Sequence, residues 1–384
     1  MGHGKRSRSR TRCHRSRSPA RQKEGRQRPS QHPHFGWRRG MRLCADRYEV
    51  SGKLGDGTFG RVLAAKDLQT GASVAVKVGK EGEDFFEQAQ EEVKILRDVQ
   101  RLDPNRRSLC VELLDSFVER RQHFCMVFER LGLSLRDFLK KNDGRGLFVK
   151  DLRSISHQLL QSLTVLHGIG IIHTDLKCRN VMLRSEGYSV AAHPREAAAE
   201  VLRPLDCRIS VIDFGSAITQ EETYRGRVGT RQFRSPEAAL GLYWNEKCDI
   251  WGAGCIIAML YLGKRPFSVH ENQEHLAMME RLMEDKLPPK MLKQARDIRC
   301  DDDEGSSDVE SFTATIDNQL DWPGVATEEA VRRVEELLPL SAQVLPRHRS
   351  FLRLLQGLLQ LDPQKRTDAA AACHSPFFTT EVQE

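Results

Sequence analysis

Apolar and β-branched residues alternate with polar ones on both sides of Leu54-Gly55-Asp56-Gly57-Thr58-Phe59-Gly60-Arg61-Val62, beginning at Val50 and continuing past Val62. A period of two interrupted by glycines predicts strand, turn, strand. Val74-Ala75-Val76-Lys77-Val78 reads as a further strand, after which the period lengthens to that of a helix in the stretch from Phe86 to Leu96, with Val93 and Leu96 on its apolar side. Phe124-Cys125-Met126-Val127-Phe128-Glu129 is a short apolar run suited to a buried strand, and Arg130-Leu131-Gly132-Leu133-Ser134 ends it. Farther on, Asp151 to His167 and Trp244 to Leu262 space their apolar residues as helices do. Strands first and helices later predict an α+β chain of two lobes, a small β-rich one over about 46–130 and a larger, helical one over about 131–379.

The length of 384 residues and the 39% hydrophobic content suit one such domain with appendages. No apolar run approaches the roughly twenty residues of a membrane span, and none stands near the start, so neither a span nor a secretory signal is expected. The ten cysteines are scattered, without a Cys-x-x-Cys pair, and read as reduced thiols. The formal charge of +7 conceals an asymmetry: residues 1–42 carry +13 and the remainder −6. Lys5-Arg6-Ser7-Arg8-Ser9-Arg10-Thr11-Arg12 and Arg15-Ser16-Arg17-Ser18-Pro19 have almost no apolar side chains, which predicts a disordered basic tail over 1–45. Such a tail serves nuclear targeting, RNA contact or phosphorylation, or else merely solvates the chain.

Chemistry enters with the glycine turn. Gly-x-Gly-x-x-Gly lets backbone amides approach a phosphate without a Cβ in the way, but it also occurs in plain hairpins and in dinucleotide-binding turns that open a helix. Here a strand follows, which favours a lid over nucleotide phosphates, formed by Leu54 through Val62. Lys77 lies in an apolar strand, where a buried ammonium needs anions. Phosphates are one source and a carboxylate of the following helix is the other. Glu92, four residues before Leu96, is preferred to Glu91, which falls with Lys94 and Ile95. The alternative is a lysine that ends the strand and snorkels to solvent.

Ile172-His173-Thr174-Asp175-Leu176-Lys177-Cys178-Arg179-Asn180, followed by Val211-Ile212-Asp213-Phe214-Gly215, supplies the remaining polar groups that phosphoryl transfer requires. Asp175 is placed to take the proton of a substrate hydroxyl, Lys177 to meet the transferring phosphoryl oxygens, and Asn180 with Asp213 to hold Mg2+. The pattern reads as a protein kinase that uses ATP. Ala75 and Phe128 would line its adenine pocket, the backbone at Glu129 and Leu131 would meet the adenine edge, and Asp137 the ribose.

Residues 184–208 are expected to be an insert between two strands, and about 290–325 a second one, containing the acidic run Asp301-Asp302-Asp303-Glu304. That run would dock arginine-rich substrates or simply be solvated. The activation segment from Asp213 to Ser235-Pro236-Glu237 contains Thr219, Thr223, Tyr224 and Thr230. Glu237 and Arg366 are expected to form a buried ion pair, and Asp249 to brace the catalytic loop.

Periodicity alone makes Glu274-His275-Leu276-Ala277-Met278-Met279-Glu280-Arg281 an amphipathic helix with a methionine face. The same eight residues resemble the signature for which the LAMMER, or CDC-like, kinases are named. His173-Thr174-Asp175-Leu176-Lys177, Asp213-Phe214-Gly215-Ser216-Ala217, Leu131-Gly132-Leu133-Ser134 after Glu129, Leu320-Asp321-Trp322 and the insert before Asp213 are similar to that family too, so the resemblance covers about 46–379. It implies a dual-specificity kinase that autophosphorylates on tyrosine and phosphorylates Arg/Ser-rich splicing factors on serine in the nucleus; a monomer is expected, with the cytoplasm as a second compartment. Cys178-Arg179 stands where the family has Pro-Glu, a glutamate that in basophilic kinases helps to bind substrate arginine, and Ser235 replaces an alanine. Two rival readings are a kinase of another nuclear assembly, such as the chromosome-segregation machinery, and an inactive scaffold that binds RNA or splicing factors. Lys77, Asp175, Asn180 and Asp213 together argue against the scaffold.

Overall fold

The computed structural model describes residues 34–193, 195, 199–220, 224–268, 271–301, 315–324, 326–381 and 383–384; the Arg/Ser runs of the tail, Thr223 and the acidic run from Asp302 lie outside them. The N-terminal lobe is a six-stranded antiparallel sheet of β1 (Arg42–Leu43), β2 (Tyr48–Asp56), β3 (Gly60–Asp67), β4 (Ser73–Gly79), β5 (Leu113–Glu119) and β6 (His123–Glu129), in the order β1-β2-β3-β4-β6-β5. One helix, α1 (Glu83–Leu102), packs on it. One face of the sheet closes over Leu63, Val74, Val76, Val78, Cys125 and Val127. Phe35 and Leu43 are buried in that cluster, so the folded domain starts before the expected boundary at 46. Arg38 and Arg39 interrupt the apolar positions there and hide the pattern in sequence.

After the hinge come α2 (Leu135–Lys141) and α3 (Val149–Gly168), then β7 (Ile171–Ile172) and β8 (Val181–Leu183) around the catalytic loop. Within the insert, β9 (Tyr188–Ala192) pairs antiparallel with β10 (Glu200–Pro204), before β11 (Ile209–Val211) returns to pair with β8. It is pinned down rather than free on the surface: Asn142 exchanges hydrogen bonds with the backbone of Leu202 at 2.9 and 2.7 Å, and Arg203 forks onto Asp151 at 2.7 and 2.9 Å.

The activation segment forms β12 (Ile218–Thr219) and β13 (Tyr224–Arg225), then α4 (Pro236–Ala239) and β14 (Tyr243–Trp244). Tyr224 and Arg225 pair with Trp244 and Tyr243, so the helix expected from Trp244 begins only at Lys247, as α5 (Lys247–Leu262). Apolar on all sides, α5 is buried from Cys248 to Tyr261 and forms the centre of the lobe. Glu237 and Arg366 meet at 2.7 and 2.9 Å, both fully buried, and Arg366 also donates to the carbonyls of Gln360 and Lys247 at 2.9 and 2.8 Å. The region expected as a second insert opens with a packed helix, α7 (Pro289–Asp301), because Met291, Leu292 and Ala295 share one buried face.

Glu274 through Arg281 lie on α6 (Asn272–Met283), with Leu276, Ala277, Met278 and Met279 in the core. Glu274 takes a forked ion pair from Arg333 of α8 (Glu328–Glu336) at 2.6 and 3.2 Å. His275 is fully buried against Phe267, and neither ring nitrogen has a hydrogen-bond partner among the described residues. Burial, helped by the charges of Arg234 and Arg231, pushes its pKa down to about 3. The unfolded chain therefore binds a proton here that the folded chain refuses, and stability present above about pH 6.5 is lost as pH falls toward 3. The urea midpoint is expected to drop between about pH 7.5 and about pH 5, and to drop less in His275→Leu. Equal drops in both proteins would remove His275 from this role.

Candidate active site

The cleft between the lobes gathers the residues that the sequence singled out. In the β2–β3 turn the Gly57 amide donates to the Gly60 carbonyl at 2.8 Å. A Cβ on Gly60 would lie 2.3 Å from the Val78 carbonyl oxygen, so only glycine lets the turn rest on β4. Leu54, Asp56, Gly57 and Thr58 are exposed, Gly55 and Phe59 half-buried. Arg61 at 2.6 Å and Lys53 at 2.8 Å bracket Asp56 and hold its carboxyl well below the usual range. The register sets Val62 opposite Lys77, and Ala75 lies two residues before it, so the three present one face toward the cleft.

At the hinge, Phe128 sits opposite Ala75. The Glu129 carboxylate is held by Arg184, by Arg106 at 3.3 Å and by the Glu112 amide at 3.2 Å, which fixes the backbone leaving β6. The Gly132 amide donates to Leu183 at 2.8 Å, and a Cβ on Gly132 would fall 2.4 Å from the Ser185 carbonyl oxygen. Among the described residues the backbone amide and carbonyl of Leu131 make no hydrogen bond, although the residue is only 9% exposed. A buried donor and acceptor left side by side fit the edge of a purine. Asp137 is exposed at the start of α2, where its Oδ2 accepts from the Ser134 hydroxyl at 2.6 Å. Met182 and Ile212, half-buried against the core and close in sequence to Asn180 and Asp213, are apolar neighbours of the site that the sequence reading did not name. Their signal was position, Met182 two residues after Asn180 and Ile212 immediately before Asp213.

Lys77 Nζ reaches Glu92 Oε2 at 2.7 Å and Oε1 at 3.0 Å, and Asp213 Oδ1 at 3.4 Å. Glu92 is buried on α1 and Glu91 is exposed. Burial alone would lower the pKa of Lys77, but Glu92 and Asp213 together raise it above its ordinary value. Burial likewise pushes Asp213 up, and Lys77, His173 and Lys177 outweigh it to leave the carboxyl low. All-oxygen donors suit Mg2+, which takes one or two protein ligands and completes its shell with water and substrate phosphates. Asp213 offers a carboxylate; Asn180 donates its amide nitrogen to the Asp175 carbonyl at 3.0 Å, which leaves its oxygen for another partner. The two residues fit the ion, which when bound neutralises charge on the β- and γ-phosphates.

Asp175 accepts from Lys177, and its Oδ1 takes the Thr230 hydroxyl at 2.7 Å and the Thr230 amide at 2.9 Å. Lys177 also donates to the Thr230 hydroxyl at 3.2 Å. Thr230 appeared in sequence only as an activation-segment hydroxyl; its contact with the loop is a fact of tertiary structure. Asp249, fully buried on α5, accepts from the His173 and Thr174 amides, each at 2.8 Å. Those bonds hold Thr174 at φ 69°, an unfavourable conformation for a β-branched residue.

The match extends beyond the site: a profile described as "Protein kinase domain" fits residues 48–378. Serine/threonine-protein kinase AFC1 of Arabidopsis thaliana is 37% identical over 350 residues, 88% of this chain and 72% of that protein. Dual specificity protein kinase CLK1 of Mus musculus is 34% identical over 341 residues, 88% of this chain and 67% of that protein. The chain is a LAMMER, or CDC-like, protein kinase. A kinase domain of known crystal structure superposes with a TM-score of 0.82 at 31% identity, covering 90% of this chain and 98% of the other.

In this LAMMER kinase Thr174 occupies the position where kinases switched by an activation-loop phosphate carry arginine, and its hydroxyl donates instead to the Ser216 carbonyl at 2.8 Å. A neutral side chain cannot clamp a phosphate. Phosphatase-treated enzyme is therefore expected to keep a substantial share of its turnover. Inactivity until an upstream kinase modifies Thr230 or Tyr224 would contradict this.

Proposed function

We propose that this kinase transfers the γ-phosphoryl group of ATP, with Mg2+, to serine and threonine hydroxyls of proteins and to tyrosine of its own chain, and that its substrates are Arg/Ser-rich splicing factors of the nucleus. One observation carries the catalytic part: the carboxylate oxygen of Asp175 already accepts a hydroxyl, that of Thr230, at 2.7 Å. A substrate hydroxyl in its place would give its proton to Asp175 as its oxygen attacks phosphorus. Lys177 is set to meet the phosphoryl oxygens, Lys77 the nucleotide phosphates with Glu92 as its partner, and Asn180 and Asp213 the metal. Leu54 through Val62 would cover the phosphates, while Ala75, Phe128, Glu129, Leu131 and Asp137 would receive the nucleoside.

Charge supports the substrate class. Residues beyond 42 carry −6 and the chain's own Arg/Ser tail +13, so an acidic body would draw basic peptides by an attraction that salt screens. The test is phosphate transfer from labelled ATP to Arg/Ser, proline-directed and acidic peptides at low and high ionic strength, with Asp175→Asn alongside. Preference for the Arg/Ser peptide, weakened by salt, is expected, and Asp175→Asn should lose about 10²–10⁴-fold in kcat while remaining folded. Near-normal turnover by Asp175→Asn would refute the base; a salt-insensitive preference for the acidic peptide would refute the substrate class and leave the kinase assignment standing.

A further inference from the structure

Arg179 stands between Lys177 and Asn180, in the loop that carries the candidate base. Its guanidinium is exposed and, among the described residues, has no hydrogen-bond or ion-pair partner. Arg136, in the first turn of α2, approaches the same place: its amide donates to the Cys178 carbonyl at 3.1 Å, and its charge acts on the buried Cys178 thiol, opposing the rise that burial imposes. Its side chain has no partner among the described residues either. Two arginines on the backbone that adjoins Lys177, with no carboxylate paired to either among the described residues, are poor for stability and good for holding an anion.

The loop folds back on itself, because Asn180 donates to the Asp175 carbonyl at 3.0 Å, and so Arg179 lies one residue from that contact. The activation segment reaches Asp175 through Thr230, and α2 reaches the loop through Cys178, which places the two arginines on the α2 side of the acceptor. An extended peptide turns alternate side chains to one face and advances about 7 Å in two residues. With its acceptor serine facing Asp175, the side chain two residues away faces the same loop, and the neighbouring side chains face elsewhere. In an alternating Arg-Ser repeat, such as Arg6-Ser7-Arg8-Ser9-Arg10 of this chain's own tail, every residue facing the loop is then a serine and none is an arginine.

We propose that Arg179, assisted by Arg136, is a specificity residue that takes an anionic side chain two residues from the acceptor, a phosphoserine in an Arg/Ser repeat, so that each phosphorylation makes the serine next in register a better substrate. This rests on the kinase reading, and for the repeat on the Arg/Ser reading. It also resolves the difficulty of a cation where the family has glutamate: the residue opposite Arg179 is the product of the previous turnover, not a substrate arginine.

The test uses the full chain and peptides with one acceptor serine, in an alternating arginine frame and in a second frame without arginine. The position two residues before or after the acceptor carries alanine, arginine, glutamate or phosphoserine, and kcat/KM is compared within each frame. On one of the two sides phosphoserine should exceed alanine by about tenfold or more, as for a charge-assisted hydrogen bond, with glutamate between them and arginine below. The ratio should collapse in Arg179→Ala, reverse toward arginine in Arg179→Glu and shrink in Arg136→Ala. Equal values for all four residues, or a preference that survives Arg179→Ala, would overturn the proposal. Transfer only in the frame without arginine, with the ratio intact, would overturn the Arg/Ser reading and uphold this one; no transfer in either frame would overturn both.

Discussion

The ammonium of Lys77 lies on an otherwise apolar sheet face with only 18% of its side chain exposed, and the rest of the cleft is arranged around that fact. It is answered by Glu92 at 2.7 Å and Asp213 at 3.4 Å, one from the helix of the small lobe and one from the large lobe. Glu92 would not be stable there alone, since it is 4% exposed, in the apolar stripe of α1 between Ala89 and Leu96, whereas Asp213 keeps 34% of its side chain in solvent. A buried pair adds little net stability, but loss of one partner costs about 3–5 kcal/mol. The interaction thus ties three elements into one arrangement. Gly215 is part of it, since a Cβ there would lie 3.2 Å from Glu92 Oε2, and the Gln88 side chain donates to the Gly215 carbonyl at 3.1 Å.

A second buried carboxylate sets the other half of the site. Asp249 is carried by the most buried helix of the molecule and holds the backbone at His173 and Thr174, so the Asp175 carboxylate inherits the rigidity of α5. Glu237 and Arg366 do the same for the end of the activation segment. Thr230 joins the two systems by bonding the catalytic loop from the activation segment. Side chains that must meet phosphate, metal and hydroxyl together are positioned by the core, while the side chains of Arg179 and Arg136, proposed to meet a protein substrate, have no hydrogen-bond or ion-pair partner among the described residues.

Much of this was legible in sequence because the motifs keep chemistry and local structure together. Glycines in a hairpin, a lysine in an apolar strand and Asp-x-Lys-x-x-Asn in a loop each carry a charge or conformation that has few other uses. What stayed hidden depends on contacts between distant segments. Thr230 is an ordinary threonine until the chain brings it to Asp175. The early start of the domain at Phe35 was masked by neighbouring arginines, and the helix over Pro289–Asp301 by a polar composition that conceals a buried face of three residues. Trp244 was drawn into the following helix by its apolar character, although its backbone pairs with Tyr224.

The dependence of the site on one buried ion pair is tested most directly by a double-mutant cycle of unfolding free energies on Lys77→Met and Glu92→Leu. Lys77→Met leaves the buried Glu92 carboxylate unanswered and is expected to cost about 3–5 kcal/mol, Glu92→Leu leaves Lys77 with Asp213 alone at 3.4 Å and should cost less, and the double variant should recover at least about 1 kcal/mol relative to the sum of the two. Strictly additive losses would contradict the account, because they would show that Lys77 and Glu92 stabilise the cleft independently of one another.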